Sequence, residues 1–179
     1  SRGVYTYAVP EFFGESIDGT AKLFGLRRQE EAFVRQEFGA TLGLKRPLPL
    51  FGIDATVGYT FQSLRNADSV LATRAIDQGQ VDVASVDFGL TSDRRDNPLR
   101  PRRGHRWFTR LELASRFLGG QPDYQRLEAG GAFHTGWGSG RWIHPGVPHG
   151  AIITLGADDD RSLPVNKRFY PGGEAQIRG

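Results

Sequence analysis

Cysteine and methionine are both absent from the 179 residues. Without cysteine there is no disulfide framework and no thiolate nucleophile or ligand. That absence suits a periplasmic or outer-membrane chain that avoids stray oxidation, and it is equally common in the cytosol. No apolar run approaches the ~20 residues that a membrane helix needs, and mean hydropathy is negative. Neither fact bears on a strand-built span, whose apolar residues alternate with polar ones. The start, Ser1-Arg2-Gly3-Val4-Tyr5, has no basic segment followed by an apolar core, so any export signal is expected upstream of it. Also missing are a Gly-x-Ser-x-Gly elbow, a phosphate loop and a dinucleotide fingerprint. The residues offer catalysis no foothold, and neither an enzymatic role nor a cofactor is expected.

Net charge is only +3, and the arginines are spread along the chain. A nucleic-acid surface would gather them on one face, so nucleic acid is not an expected partner. His105, His134, His144 and His149 have no zinc spacing. Asp158-Asp159-Asp160 lacks the alternating ligands and glycine of a calcium loop, and reads as a solvated loop. No metal is expected.

What is present is period-two alternation, punctuated by 24 glycines and 10 prolines. It predicts an all-β chain of about eight antiparallel strands: Val4–Phe12, Thr20–Gln29, Phe33–Lys45, Ile53–Gln62, Gln80–Asp93, His105–Ala114, Tyr124–Thr135 and His149–Ala157. The fourth alternates most cleanly, with Ile53, Ala55, Val57, Tyr59 and Phe61 on one side and Asp54, Thr56, Gly58, Thr60 and Gln62 on the other. The connection 63–79 has room for a helical turn at Val70–Ile76, and Gly136–Pro148 reads as a turn. Strands of about 9–11 residues with one apolar and one polar face suit a bilayer-spanning barrel; soluble strands are shorter, about 5–6 residues. Trp107, Trp137, Trp142, Tyr124 and Tyr170 fit an interfacial aromatic belt or ordinary sheet packing.

Two motifs carry a resemblance. Leu163–Gly179, LPVNKRFYPGGEAQIRG, joins a basic-aromatic cluster (Lys167, Arg168, Phe169) to a Gly172-Gly173 turn and an Ile177-Arg178-Gly179 end. Upstream, Thr91–Gly104 contains Asp93, Arg95, Asp96, Pro98, Pro101 and Gly104 in an Asp-x-Arg…Pro…Gly pattern. On their own terms, the Asp, Asn, Pro and Gly of the second motif explain a structural turn. Their order resembles the BamA/TamA group of the outer-membrane assembly-factor superfamily, the bacterial surface antigen barrels.

The resemblance implies that 1–179 is one partial barrel domain, from the fourth to the eleventh of sixteen strands, ending in a lumen loop at 163–179. About five further strands and an aromatic residue after Gly179 are expected. It also implies that Arg178 reaches an acidic site on the lumen wall. The usual partner falls outside this chain, and Glu112 and Glu128 are the carboxylates here that could substitute. By the same resemblance the turn at Pro98–Gly104 is periplasmic, the location is the bacterial outer membrane, and the function is insertion or translocation of other barrel proteins. The implied partners are outer-membrane lipid, unfolded β-barrel clients and accessory assembly lipoproteins. A two-partner secretion transporter, a passive channel and a soluble β-sandwich binding module stay open as alternatives.

Overall fold

The computed structural model describes residues 2–12, 16–29, 34–49, 51–67, 79–137 and 141–154. The strands are β1 (Arg2–Val9), β2 (Asp18–Gln29), β3 (Val34–Leu48), β4 (Ile53–Ala67), β5 (Gly79–Asp93), β6 (Gly104–Ala114), β7 (Tyr124–Trp137), β8 (Arg141–Ile143) and β9 (Gly146–Thr154). Each of β1 to β7 pairs antiparallel with its sequence neighbour in a single sheet, and both β8 and β9 pair with β7.

β8 and β9 are one strand in two pieces. Ala132 faces Gly146 and Thr135 faces Ile143, so the register runs on unbroken across His144-Pro145. Pro145 has no N–H to give, but its carbonyl accepts from Phe133 N at 2.9 Å. The sheet therefore has eight functional strands. The eighth starts at Arg141 rather than His149. The long connection expected at Gly136–Pro148 is mostly paired strand.

The alternation sorts the two faces. One cross-strand row runs Tyr7, Ala21, Leu42, Tyr59, Val86 and Leu113; the next runs Leu44, Val57, Phe88, Leu111 and Leu127. Most side chains of these apolar rows stay exposed, with Tyr7 and Leu42 each 60% accessible, and Ala21, Val86, Leu111 and Leu113 are half-buried. A soluble sheet would bury such a surface against a second layer. The other face is concave and polar. Arg2 and Lys22 from β1 and β2 line a hollow of about 340 Å³ together with Arg110 and Glu128 from β6 and β7, so the sheet curls about this face. At one end of the concave face a small apolar cluster, Leu64, Val81, Val83, Ala114 and Tyr124, closes against Ile152.

β1, β3, β5 and β7 end at the same rim, which holds the connection 94–103. The opposite rim carries 115–123, where Ser115 caps a 3-10 turn at Arg116–Leu118. That loop lengthens the ladder beyond β6, through Ser115 N to Ala84 O at 3.3 Å and Gln121 N to Asp82 O at 2.8 Å. Tyr59 reaches over to donate to Leu118 O at 2.9 Å.

Candidate functional site: a charged wall and a braced turn

Alternation puts Asp87, Arg110, Glu112, Tyr124, Arg126 and Glu128 on the concave face, and register gathers them. Asp87 faces Glu112, which faces Arg126; one row away, Arg110 faces Glu128. Like charges set directly opposite one another repel, and the diagonal cations relieve this. Arg110 reaches Asp87 at 2.5 Å. Arg126 pairs with Glu128 and lies 3.9 Å from Glu112. Tyr124, fully buried, donates its hydroxyl to Glu112 Oε1 at 2.7 Å.

Small neighbours make the room. A Cβ on Gly58 would stand 2.4 Å from Asp87 Oδ2, so glycine there lets the carboxylate lie against β4. Farther round the trough, Thr41 and Thr60 share a 3.1 Å hydrogen bond. The result is a wall of fixed charges in register, with three carboxylates and two guanidiniums on β5–β7. It contains no nucleophile–base pair. Among the described residues no group of three or more His, Cys, Asp or Glu side chains is placed to hold a metal.

Glu112 and Glu128, the expected lumen carboxylates, both belong to this wall. Asp87 and Arg110 join these carboxylates only through the register, which no local sequence pattern carries. The sequence also left open whether Tyr124 lies in an interfacial belt; its burial and its bond to Glu112 place it against the wall. A further pair went unrecognised. His134 and His144 meet across β7 and the interrupted eighth strand, Nδ1 to Nδ1 2.7 Å. The signal for it is the pairing of Trp137 with Arg141 and Thr135 with Ile143, a register that sets 134 opposite 144.

The upstream motif forms the β5–β6 turn. Arg95 clamps Asp93 through one guanidinium edge, Nε and Nη2, at 2.8 and 2.5 Å, and donates from Nη1 to Pro98 O at 3.0 Å. Asp96 Oδ1 accepts backbone N–H from Asn97 and Arg102 at 2.9 Å and from Arg103 at 3.1 Å. The bonds from Arg103 and Arg102 hold the Asp96 carboxyl below its usual range. Asn97 Oδ1 caps Leu99 N and Arg100 N. Gly104 closes the turn at φ 106°. Pro101, with Arg100 and Arg102, lines a hollow beside His134 and His144. The loop residues Lys167, Arg168, Phe169, Gly172, Gly173, Ile177, Arg178 and Gly179 lie outside the described residues, as do Asp158–Asp160 and the helical turn expected at Val70–Ile76.

The model of the Omp85 superfamily domain matches residues 2–179. The chain belongs to the Omp85 superfamily. Among solved structures, this Omp85 chain is similar to the crystal structure of BamA from Haemophilus ducreyi lacking POTRA domains 1–3, with a TM-score of 0.78 and 16% identity. The match takes in 99% of this chain but 37% of that one, so the Omp85 chain spans little more than a third of its relative's length. No curated protein matches it. The exposed apolar rows and polar concave face are those of a segment of a larger transmembrane barrel in the bacterial outer membrane. The family role is outer-membrane protein assembly or translocation.

Proposed function

We propose that residues 1–179 are the middle of the barrel of a factor that inserts or translocates client β-barrel proteins, without enzymatic chemistry. Clients and accessory lipoproteins would be its partners. The β5–β6 turn lies at the periplasmic rim, and the loop 163–179 folds back into the lumen. Arg178 then sets its guanidinium against the carboxylates of the β5–β7 wall or of later strands. The charged wall carries this reading. Asp87, Glu112 and Glu128 set carboxylates on the concave face, and the fork geometry of a guanidinium makes a contact with such groups directional.

The test is Arg178→Ala in the full-length protein. Assembly of client barrels is expected to fall while the variant still reaches the membrane. Single-channel conductance in planar bilayers distinguishes a passive pore: if the substitution changes conductance and leaves client assembly intact, the loop serves as a constriction and the assembly reading is wrong.

A further inference from the structure

On the apolar face, two hollows lie side by side. The first, about 640 Å³, follows β2, where Gly19 and Ala21 are small between Tyr7 and Phe12 on one side and Leu42 on the other. Phe12 turns back onto Gly19, its ring 3.4 Å from where a Cβ would stand, and walls off the rim end. The second, about 520 Å³, lies between Leu44 and the Phe88–Leu90 stretch. Leu44 and Val57 line both, so they form the ridge that divides them. Arg46, next on the same face toward the rim of the β3–β4 turn, lines the second hollow. Both volumes lie in the range of ligand pockets, about 300–1,000 Å³.

Two adjacent apolar hollows that share a ridge, with a guanidinium lining one of them near the rim, match a molecule with two acyl chains and a phosphate. We propose that this surface is a binding site for one glycerophospholipid of the periplasmic leaflet. One chain lies in each trough, and the phosphate lies at Arg46. Continuity with the lipid-facing rows supplies the hydrocarbon, and the guanidinium supplies charge complementarity for a phosphodiester. The choice of leaflet rests on the orientation proposed above.

The test uses the full-length protein equilibrated in nanodiscs of phosphatidylethanolamine and phosphatidylglycerol with added lipid A. Native mass spectrometry after mild extraction then reads which lipids stay bound. Wild type is expected to retain a phospholipid. Ala21→Phe fills the first trough and should cut retention at least about tenfold, the scale of two lost methylene burials. Arg46→Gln, which leaves packing intact, should lower retention and remove any preference for phosphatidylglycerol. Ala40→Phe, on the same face outside both hollows, should retain lipid as wild type does. Heat-modifiable gel migration confirms that each variant is folded. Equal retention by wild type, Ala21→Phe and Arg46→Gln overturns the site, as does equal loss in Ala40→Phe. Retention of lipid A in place of phospholipid, lost in Ala21→Phe, overturns the leaflet and the orientation with it.

Discussion

Tyr124 gives its hydroxyl hydrogen to Glu112 across the β6–β7 pair, 2.7 Å away, and neither side chain has appreciable access to solvent. A buried carboxylate needs such donors, because desolvation otherwise disfavours its charged form. The bond ties the apolar cluster at one end of the concave face, to which Tyr124 belongs, to the charged wall through Glu112.

Tyr124→Phe keeps the ring and deletes the donor. The expected cost is about 1–3 kcal/mol, the penalty for stripping a partner from a buried charged group. Glu112→Gln should cost less, because a neutral amide is easier to bury. A double-mutant cycle on the detergent-folded full-length barrel, read by urea unfolding, should give a coupling of about 1 kcal/mol or more. A coupling near zero would mean that the hydroxyl contributes nothing to the wall.

Gly58 and Asp87 make a second coupled pair. Any side chain at 58 must push Asp87 away from β4, and Arg110 holds Asp87 from the other side. Gly58→Ala should therefore destabilise by about 1–2 kcal/mol, although alanine normally suits a strand better than glycine does. Asp87→Ala removes the atom in the way. In that background Gly58→Ala should become neutral or slightly stabilising, as unfolding midpoints will report.

Asp96 sets a pH dependence for the β5–β6 turn. Its carboxyl is held low by backbone N–H bonds from Arg103 and Arg102. The unfolded chain thus takes up the proton first. The turn keeps its full stabilisation above the ordinary aspartate value, about 3.9, and loses it as pH falls through the lowered folded value. Hydrogen exchange of the Arg102 and Arg103 amides, corrected for intrinsic rates, should speed up in acid in the wild type. In Asp96→Asn, which keeps an acceptor oxygen but does not titrate, protection should be lower at neutral pH and flat through the same range.

The faces of this sheet could be read from the sequence, and its contacts could not. Ile53 to Phe61 declare their side by strict alternation, and the structure keeps each where the pattern put it. Alternation does not give the register between strands. Asp87, Arg110 and Glu128 come from three strands, and nothing local joins them. The eighth strand was obscured for a different reason. Pro145, Gly146 and Pro148 are strong turn signals, yet β7 offers a continuous edge and pairing prevails, with Pro148 opposite Gly130. β4 also outruns its alternation, continuing past Gln62 because Ser63, Leu64 and Arg65 find partners in Asp82, Val81 and Gln80.

Gly104 and Gly119 separate backbone strain from steric conflict. Both have positive φ, 106° and 99°. A Cβ at 119 meets nothing within 4 Å, whereas at 104 it would lie 2.0 Å from the Arg94 carbonyl oxygen. Gly119→Ala should thus bear the conformational cost alone, about 1 kcal/mol. Gly104→Ala bears that cost and must also displace backbone that receives Arg94 N on His105 O and Asp96 N on Arg103 O. No rotamer change can relieve a main-chain clash, so the β5–β6 hairpin must open or shift register. Gly104→Ala is expected to cost well over 3 kcal/mol and to lower sharply the yield of heat-modifiable folded barrel, while Gly119→Ala folds normally with a slightly lower midpoint. Equal midpoints for the two variants would show that the turn yields freely at Arg94 and that its hydrogen bonds do not fix its shape.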